Sequence, residues 1–339
     1  MIRPVDPRRD VPPRARPSVR RVMFLDYDWI DTVDVRVIGE ARDELTDASG
    51  VTRVGDVASV DVLTEHGLLA KLTLEASPAE AADFAVDELL GGSLRQGFRA
   101  RVRALPTTAG HPLGLLLDDL PGAMIAAGYV HAMEQRIGPG TGTPGTGMPG
   151  RGLSASDGDE MPRGFHQADL CSGWRSDGTM MIAVRAGDML PFEPLAEVPQ
   201  VPEGAEGWPE PAIPVPGLRR HRRIDVVPDG EVWRIDAWFR DTYRNSEGRC
   251  GALHEYTVHL VADATSHVLL DVRAVPHALP WRECPAAGEM VHKLVGTQLD
   301  GLRSSVPKVL QGIESCTHLT NELRELADVP HLAAALERA

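Results

Sequence analysis

The sequence predicts an α+β protein in which one antiparallel-sheet module, strands followed by helices, occurs twice. Three observations carry this. Period-2 hydrophobic runs are separated by short turn signals, helical periodicity begins only after each set of strands, and the second half repeats the pattern of the first. Strands first and helices afterwards place the helices against one face of a sheet.

In the second half, strands are expected at about 222–227, 231–240, 253–262 and 267–275. The alternation is plain in Val232, Arg234, Asp236 and in Tyr256, Val258, Leu260. Pro228-Asp229-Gly230, the stretch from Asn245 to Gly251, and Ala264 to Ser266 supply the turns, so the strands form an antiparallel meander. After the loop Pro276 to Cys284, Met290, Leu294, Val295 and Leu299 mark one helical stretch. Val306, Val309 and Leu310 mark the next, and Leu319, Leu323 and Leu326 the last.

Residues 42–78 align without a gap to residues 240–276. The identities are Arg42/Arg240, Asp43/Asp241, Gly50/Gly248, Val60/Val258, Leu72/Leu270, Ala76/Ala274 and Pro78/Pro276. Upstream, Arg36 matches Arg234. Downstream, residues 86–94 match 291–299, and 111–120 match 317–326. The expectation is an internal duplication whose copies pack as a pseudo-dimer. Between them Gly138 to Gly152 is too rich in Gly and Pro to pack and reads as a linker. The resulting division is a disordered basic tail (1–18), a degenerate first copy (19–136), a linker (137–217) with a short ordered segment near 165–185, and the second copy (218–339).

Composition narrows the function. The chain has 339 residues, enough for two cores, and its 42% hydrophobic and 25% charged content is that of a globular protein. A net charge of −14 argues against nucleic-acid binding, which needs a basic surface. No run approaches the roughly 20 apolar residues of a membrane span, and Met1 to Arg21 lacks a signal-peptide core. A cytoplasmic location is expected, without membrane or nucleic-acid partners, leaving a small-molecule ligand. Four cysteines there read as thiols or metal ligands. The basic run Arg219, Arg220, His221, Arg222, Arg223 reads as a solvated strand entrance.

His254, Cys284, Cys316 and His318 are the residues that could do chemistry. They stand at element ends, which converge at one rim in an α+β fold, and thiolates with imidazoles suit zinc or iron. A helix N-terminus favours thiolate, so Cys316 is also a candidate nucleophile, with His318 or His254 as its base. The first copy serves as a control. It has Asp56 for His254, about Ala79 for Cys284, Gly110 for Cys316 and Pro112 for His318. All four candidates are missing together, which points to a shared site in the second copy. Glu283 and His277 are further acid/base or ligand candidates, and Trp281 and Tyr256 would line a pocket. His259 is out of phase with His254 and points to the opposite face. Arg240 and Asp241 recur in both copies and read as structural. Cys171 and His166 rank low in a linker-like region, and Cys250 reads as a free thiol.

The stretches RRIDVVPDGEVWRIDAWFRDTY, LHEYTVHLVAD, PWRECP, LVGTQLDGL and SCTHLTNELREL resemble the bacterial domain-of-unknown-function family 2889 over about 218–330. The resemblance implies no firm activity; carbon–carbon bond cleavage in aromatic catabolism is an alternative it suggests. The element order is also similar, more distantly, to NifU-type iron–sulfur scaffolds, with His254, Cys284 and Cys316 at their ligand places. Here His replaces the first Cys, and Tyr256 stands where an acidic partner is found. The leading expectation is a metal-dependent lyase or hydrolase. The alternatives are a non-catalytic metal or cluster scaffold, and a structural protein with buried cysteines.

Overall fold

The computed structural model describes residues 4–8, 10–30, 34–82, 86–94, 97–105, 110–137, 168–186, 196–198 and 212–338. The Gly/Pro-rich run at 138–152 and His166 lie outside them.

Two meanders meet edge to edge in one antiparallel sheet. The first comprises β1 (Ser18–Trp29), β2 (Val35–Thr46), β3 (Thr52–Glu65) and β4 (Leu68–Ser77). A two-residue strand, β5 (Ala196–Glu197), precedes the second, which comprises β6 (Gly217–Asp229), β7 (Val232–Arg244), β8 (Cys250–Asp263) and β9 (Leu269–Ala278). β1 pairs with β6 at the centre, and β9 and β5 share the far edge of β8. Helices α1 (Phe98–Arg103) and α2 (Pro112–Ile137) follow the first meander, and α3 (Thr179–Arg185) lies in the connection. After the second come α4 (Ala286–Glu289), α5 (Leu302–Val309), α6 (Thr317–Glu325) and α7 (Val329–Glu337). No described helix is long and apolar enough to cross a membrane.

Strand alternation gives the sheet two unlike faces. One is apolar and carries the helices. Met23, Leu25 and Tyr27 pack with Leu113 and Leu116, while Phe239, Tyr256 and Val258 pack with Leu319 and Leu323. The other face is charged, and around the central strands it is also buried. Arg20 reaches Asp225 at 2.6 Å, Arg219 pairs with Asp26, and Arg240 meets Glu255 at 2.9 Å. The N-terminal residues cover it. Val5 bridges to Ala278, Arg20 donates to the Pro12 carbonyl, and Arg240 donates to the Arg8 carbonyl.

Two expectations are corrected here. The basic tail is not disordered over its described residues, because its backbone satisfies donors that would otherwise be buried without partners. The run Arg219–Arg223 is not a solvated strand entrance: all five residues are buried. Isolated buried guanidinium groups would be costly, and carboxylates on neighbouring strands and helices offset that cost.

The two meanders match in detail. Arg21 stands opposite Asp43 as Arg220 stands opposite Asp241, and each pair is bidentate. The ladder shifts register at the same place, between Arg42 and Glu44 in β2 and between Asp241 and Thr242 in β7. Contacts across the centre are reciprocal. Arg20–Asp225 answers Arg219–Asp26, and Arg21–Asp328 answers Arg220–Asp119.

This pairing corrects part of the ungapped alignment. Val60 faces Leu74 and Val258 faces Ala274, so Ala274 corresponds to Leu74 and not to Ala76. The turn before β4 is shorter than the turn before β9, which slides the later register. By the reciprocal ion pairs, Asp119 corresponds to Asp328, in Asp-Leu-Pro and Asp-Val-Pro, and not to Glu325.

Candidate metal centre

A short hairpin and one helix start build the site. The turn after β7 is closed by Asn245, whose side chain accepts the N–H groups of Glu247 and Arg249. The turn sets Thr242 opposite Ala252, and the register shift that follows brings Asp241 opposite His254 in the ladder. The extended Cys316 precedes α6, and the first turn of that helix brings His318 over the strand. The His254 and His318 rings stack with centroids 3.5 Å apart and planes 19° from parallel. Ligand atoms of Asp241, His254 and His318 all lie within 4.8 Å of one another.

Hydrogen bonding assigns each residue a different part. Asp241 Oδ1 accepts Arg220 Nε at 2.7 Å, and its Oδ2 accepts Arg220 Nη2 at 2.8 Å. Oδ2 also lies 3.0 Å from His254 Nδ1. An ionised carboxylate only accepts, so His254 carries its proton on Nδ1 and leaves Nε2 with a free lone pair. This is how second-shell carboxylates orient metal-bound imidazoles. Arg220 is itself held by Asp119 of α2 at 3.0 Å, Asp119 also accepts Arg222 at 2.6 Å, and Arg222 pairs with Glu322 of α6. The chain Asp241–Arg220–Asp119–Arg222–Glu322 thus fixes the centre from both halves. Among the described residues, Nε2 of His318 is buried with no hydrogen-bond partner.

Electrostatics keep both imidazoles neutral. Burial pulls His254 below the ordinary histidine value, partly opposed by Asp241. Burial and the adjacent His254 hold His318 well below it. Burial alone would raise Asp241, but Arg220 and His254 outweigh it and hold the carboxyl well below the usual range. Two neutral imidazoles beside an ionised carboxylate form a donor set that fits zinc or ferrous iron. Asp241 has already spent both lone pairs of Oδ2, so it serves chiefly as the group that orients His254.

The four residues expected to form one cluster divide into two. His254 and His318 join Asp241, whereas neither Cys284 nor Cys316 belongs to that group among the described residues. Both cysteines are buried beside Tyr256, together with Cys171 from the connection. The expectation that a helix start lowers the thiol of Cys316 is corrected. Burial and the neighbouring Cys171 push it up to about 12, against the N–H groups of Leu319 and His318. Glu283 faces away, accepting the Thr179 N–H at 2.8 Å and its hydroxyl at 2.9 Å at the start of α3. His277 bonds Thr257 at 2.8 Å on the opposite face, where His259 also lies beside Asp236. Trp281 and Tyr256 are core residues, and Cys250 is half-buried at the start of β8.

Sequence reasoning undervalued Asp241 and Cys171. Counting back from the Asn245 turn would have set Asp241 against Leu253, and only the register shift between Asp241 and Thr242 brings His254 opposite it. No local signal marks Cys171, whose place depends on how the connection docks.

The matching position of the first half is different. Asp43 and Asp56 line an open cavity of about 390 Å³ with Glu80, His111 and His331. By the Asp119/Asp328 correspondence, the counterparts of Cys316 and His318 fall at 107 and 109, outside the described residues.

Residues 218–331, which hold the second meander and its helices, match the family described as "Protein of unknown function (DUF2889)". No curated protein and no solved structure matches the chain. The likeness to iron–sulfur scaffolds therefore has no matching structure behind it.

Proposed function

We propose that the C-terminal module binds one divalent transition metal, zinc or ferrous iron, through His254 and His318, with Asp241 orienting His254. The observation that carries this is the buried Nε2 of His318, which has no partner among the described residues. A buried polar atom without a partner costs about 1–3 kcal/mol, and a cation between two neutral imidazoles would remove that cost. Two protein nitrogens leave coordination positions for water and substrate. The ion would then polarise an oxygen or activate water, in hydrolase or lyase chemistry on a small molecule. Carbon–carbon cleavage falls within that class.

The first half acts as support in this reading. The reciprocal ion pairs favour an internal duplication packed as a pseudo-dimer, and Asp119 of the first copy holds the Arg220 that holds Asp241. The free, partly buried cysteines favour a reducing, cytoplasmic setting. A second reading is a closed, non-catalytic metal centre. It is favoured by the burial of His254, which is 6% exposed.

Metal analysis of purified wild-type protein, His254→Ala and His318→Ala tests the proposal. About one equivalent of zinc or iron held by imidazole is expected in the wild type, and either variant should bind that equivalent at least tenfold more weakly, with circular dichroism unchanged. A wild type that takes up no metal at micromolar concentrations would overturn it.

A further inference from the structure

The connection between the halves carries its own chemistry. Residues 169–174 are docked along the approach to α6. Ser172 N donates to the Ser315 carbonyl at 2.8 Å, Ser172 Oγ donates to the Ile313 carbonyl at 2.8 Å, and Ser315 Oγ returns to the Leu170 carbonyl at 3.4 Å. Bonding Ser172 to Ser315 sets the adjacent residues, Cys171 and Cys316, side by side. The third thiol arrives from the β9–α4 loop, where Tyr256 donates its hydroxyl hydrogen to the Cys284 carbonyl at 3.3 Å.

Gly173 lies between these sulfurs. A Cβ there would stand 2.8 Å from Cys284 Sγ and 4.0 Å from Cys171 Sγ, so only glycine lets the loop lie this close. Those distances put the two sulfurs at most about 7 Å apart, against roughly 4 Å for two thiolates on one zinc. The three sulfurs do not all lie within 4.8 Å of one another, so they would draw together on binding. The surroundings suit thiolate ligands. The nearby backbone N–H groups of Gly173, Trp174 and Thr317 favour the Cys171 thiolate, and those of His318 and Leu319 the Cys316 thiolate, against burial. Two sulfurs thus meet the start of α6, where helix N–H groups stabilise negative charge.

We infer that Cys171, Cys284 and Cys316 form a second, soft-metal site for a zinc-class cation, separate from the histidine centre and closed by the connection between the halves. On binding, three S–H bonds break, three protons pass to solvent, and three S–metal bonds form. No electron is transferred. Three thiolates leave the fourth tetrahedral position to water or an added ligand. Because the ligands come from the connection, the β9–α4 loop and the start of α6, the ion would clamp the connection onto the C-terminal module.

Titration of the full chain with cobalt(II) tests this, since thiolate coordination gives intense near-ultraviolet charge-transfer absorption that imidazole does not. The expected result is such absorption in the wild type, in Cys250→Ser and in His318→Ala, and at least a threefold reduction in Cys171→Ser. Cobalt bound without charge-transfer absorption, or absorption unchanged in Cys171→Ser, would overturn the inference and leave the histidine centre standing. Alkylation of the folded wild type followed by mass spectrometry gives a readout without mutation. Zinc should slow modification of Cys171, Cys284 and Cys316 at least tenfold relative to Cys250, and equal rates with and without zinc would count against the site.

Discussion

The two halves place the same carboxylate in the same ladder position and do different things with it. In the first, Asp43 is clamped by Arg21 and borders an open cavity beside Asp56. In the second, Asp241 is clamped by Arg220, but His254 takes the place of Asp56 and a second imidazole closes over it. The scaffold, an arginine-clamped aspartate at a β-bulge, is therefore common property. The halves differ at the position opposite the clamped aspartate, which changes from carboxylate to imidazole, and in the second imidazole of His318. An aspartate pair clamped by arginine has little use for an added soft ion, whereas two neutral imidazoles do.

Removing the clamps is the largest way to break the comparison. Arg220→Ala leaves Asp119 and Asp241 buried with a cationic partner lost, and is expected to cost about 3–5 kcal/mol in urea unfolding. Arg21→Ala should cost less. Its carboxylate Asp328 keeps Arg303 at 2.9 Å, and Asp43 borders the cavity. Equal losses in the two variants would show that the halves are not energetically distinct.

A smaller effect sharpens the asymmetry among the helix carboxylates. Asp119 and Asp328 sit in low-lying, arginine-held states despite burial. Glu325, one turn before Asp328, has no part in the reciprocal scheme. Burial and the neighbouring Asp118 push its carboxyl up to about 8, although Arg303 opposes them. A folded value above the unfolded 4.5 means that this group's stabilisation is complete below about pH 4.5. It is lost as pH rises through about 8. Between those values the slope approaches about 1.4 kcal/mol per pH unit. Glu325→Gln should flatten that decline in metal-free protein, and an unchanged profile would contradict the assignment.

Much of this was legible in the sequence, for reasons that also mark where reading stops. Alternation in Tyr256, Val258 and Leu260 fixes which side of β8 faces the helices, so His254 was correctly separated from His259. The strands-then-helices order predicted the helix-covered sheet. Burial of Arg219–Arg223 was not legible, because the partners Asp26, Asp119 and Glu322 come from distant elements and only tertiary structure supplies them. A local reading of five basic residues necessarily assigns them to solvent. The shifted match of β4 to β9 escaped because turn length leaves no mark in an ungapped comparison. The candidate cluster was half visible. Imidazole and thiol pairs were picked from residue type, but their division into two groups depends on side-chain direction, and Cys171 on a docking that spacing does not encode.

Metal-edge X-ray absorption on the zinc-loaded protein, measured in Cys171→Ser to reduce sulfur scattering from the thiol site, tests the central claim most directly. Two imidazoles are predicted in the ligand shell, falling to one in the Cys171→Ser/His318→Ala double variant. A shell without imidazole scattering, or one that His318→Ala does not change, would contradict a centre built on His254 and His318.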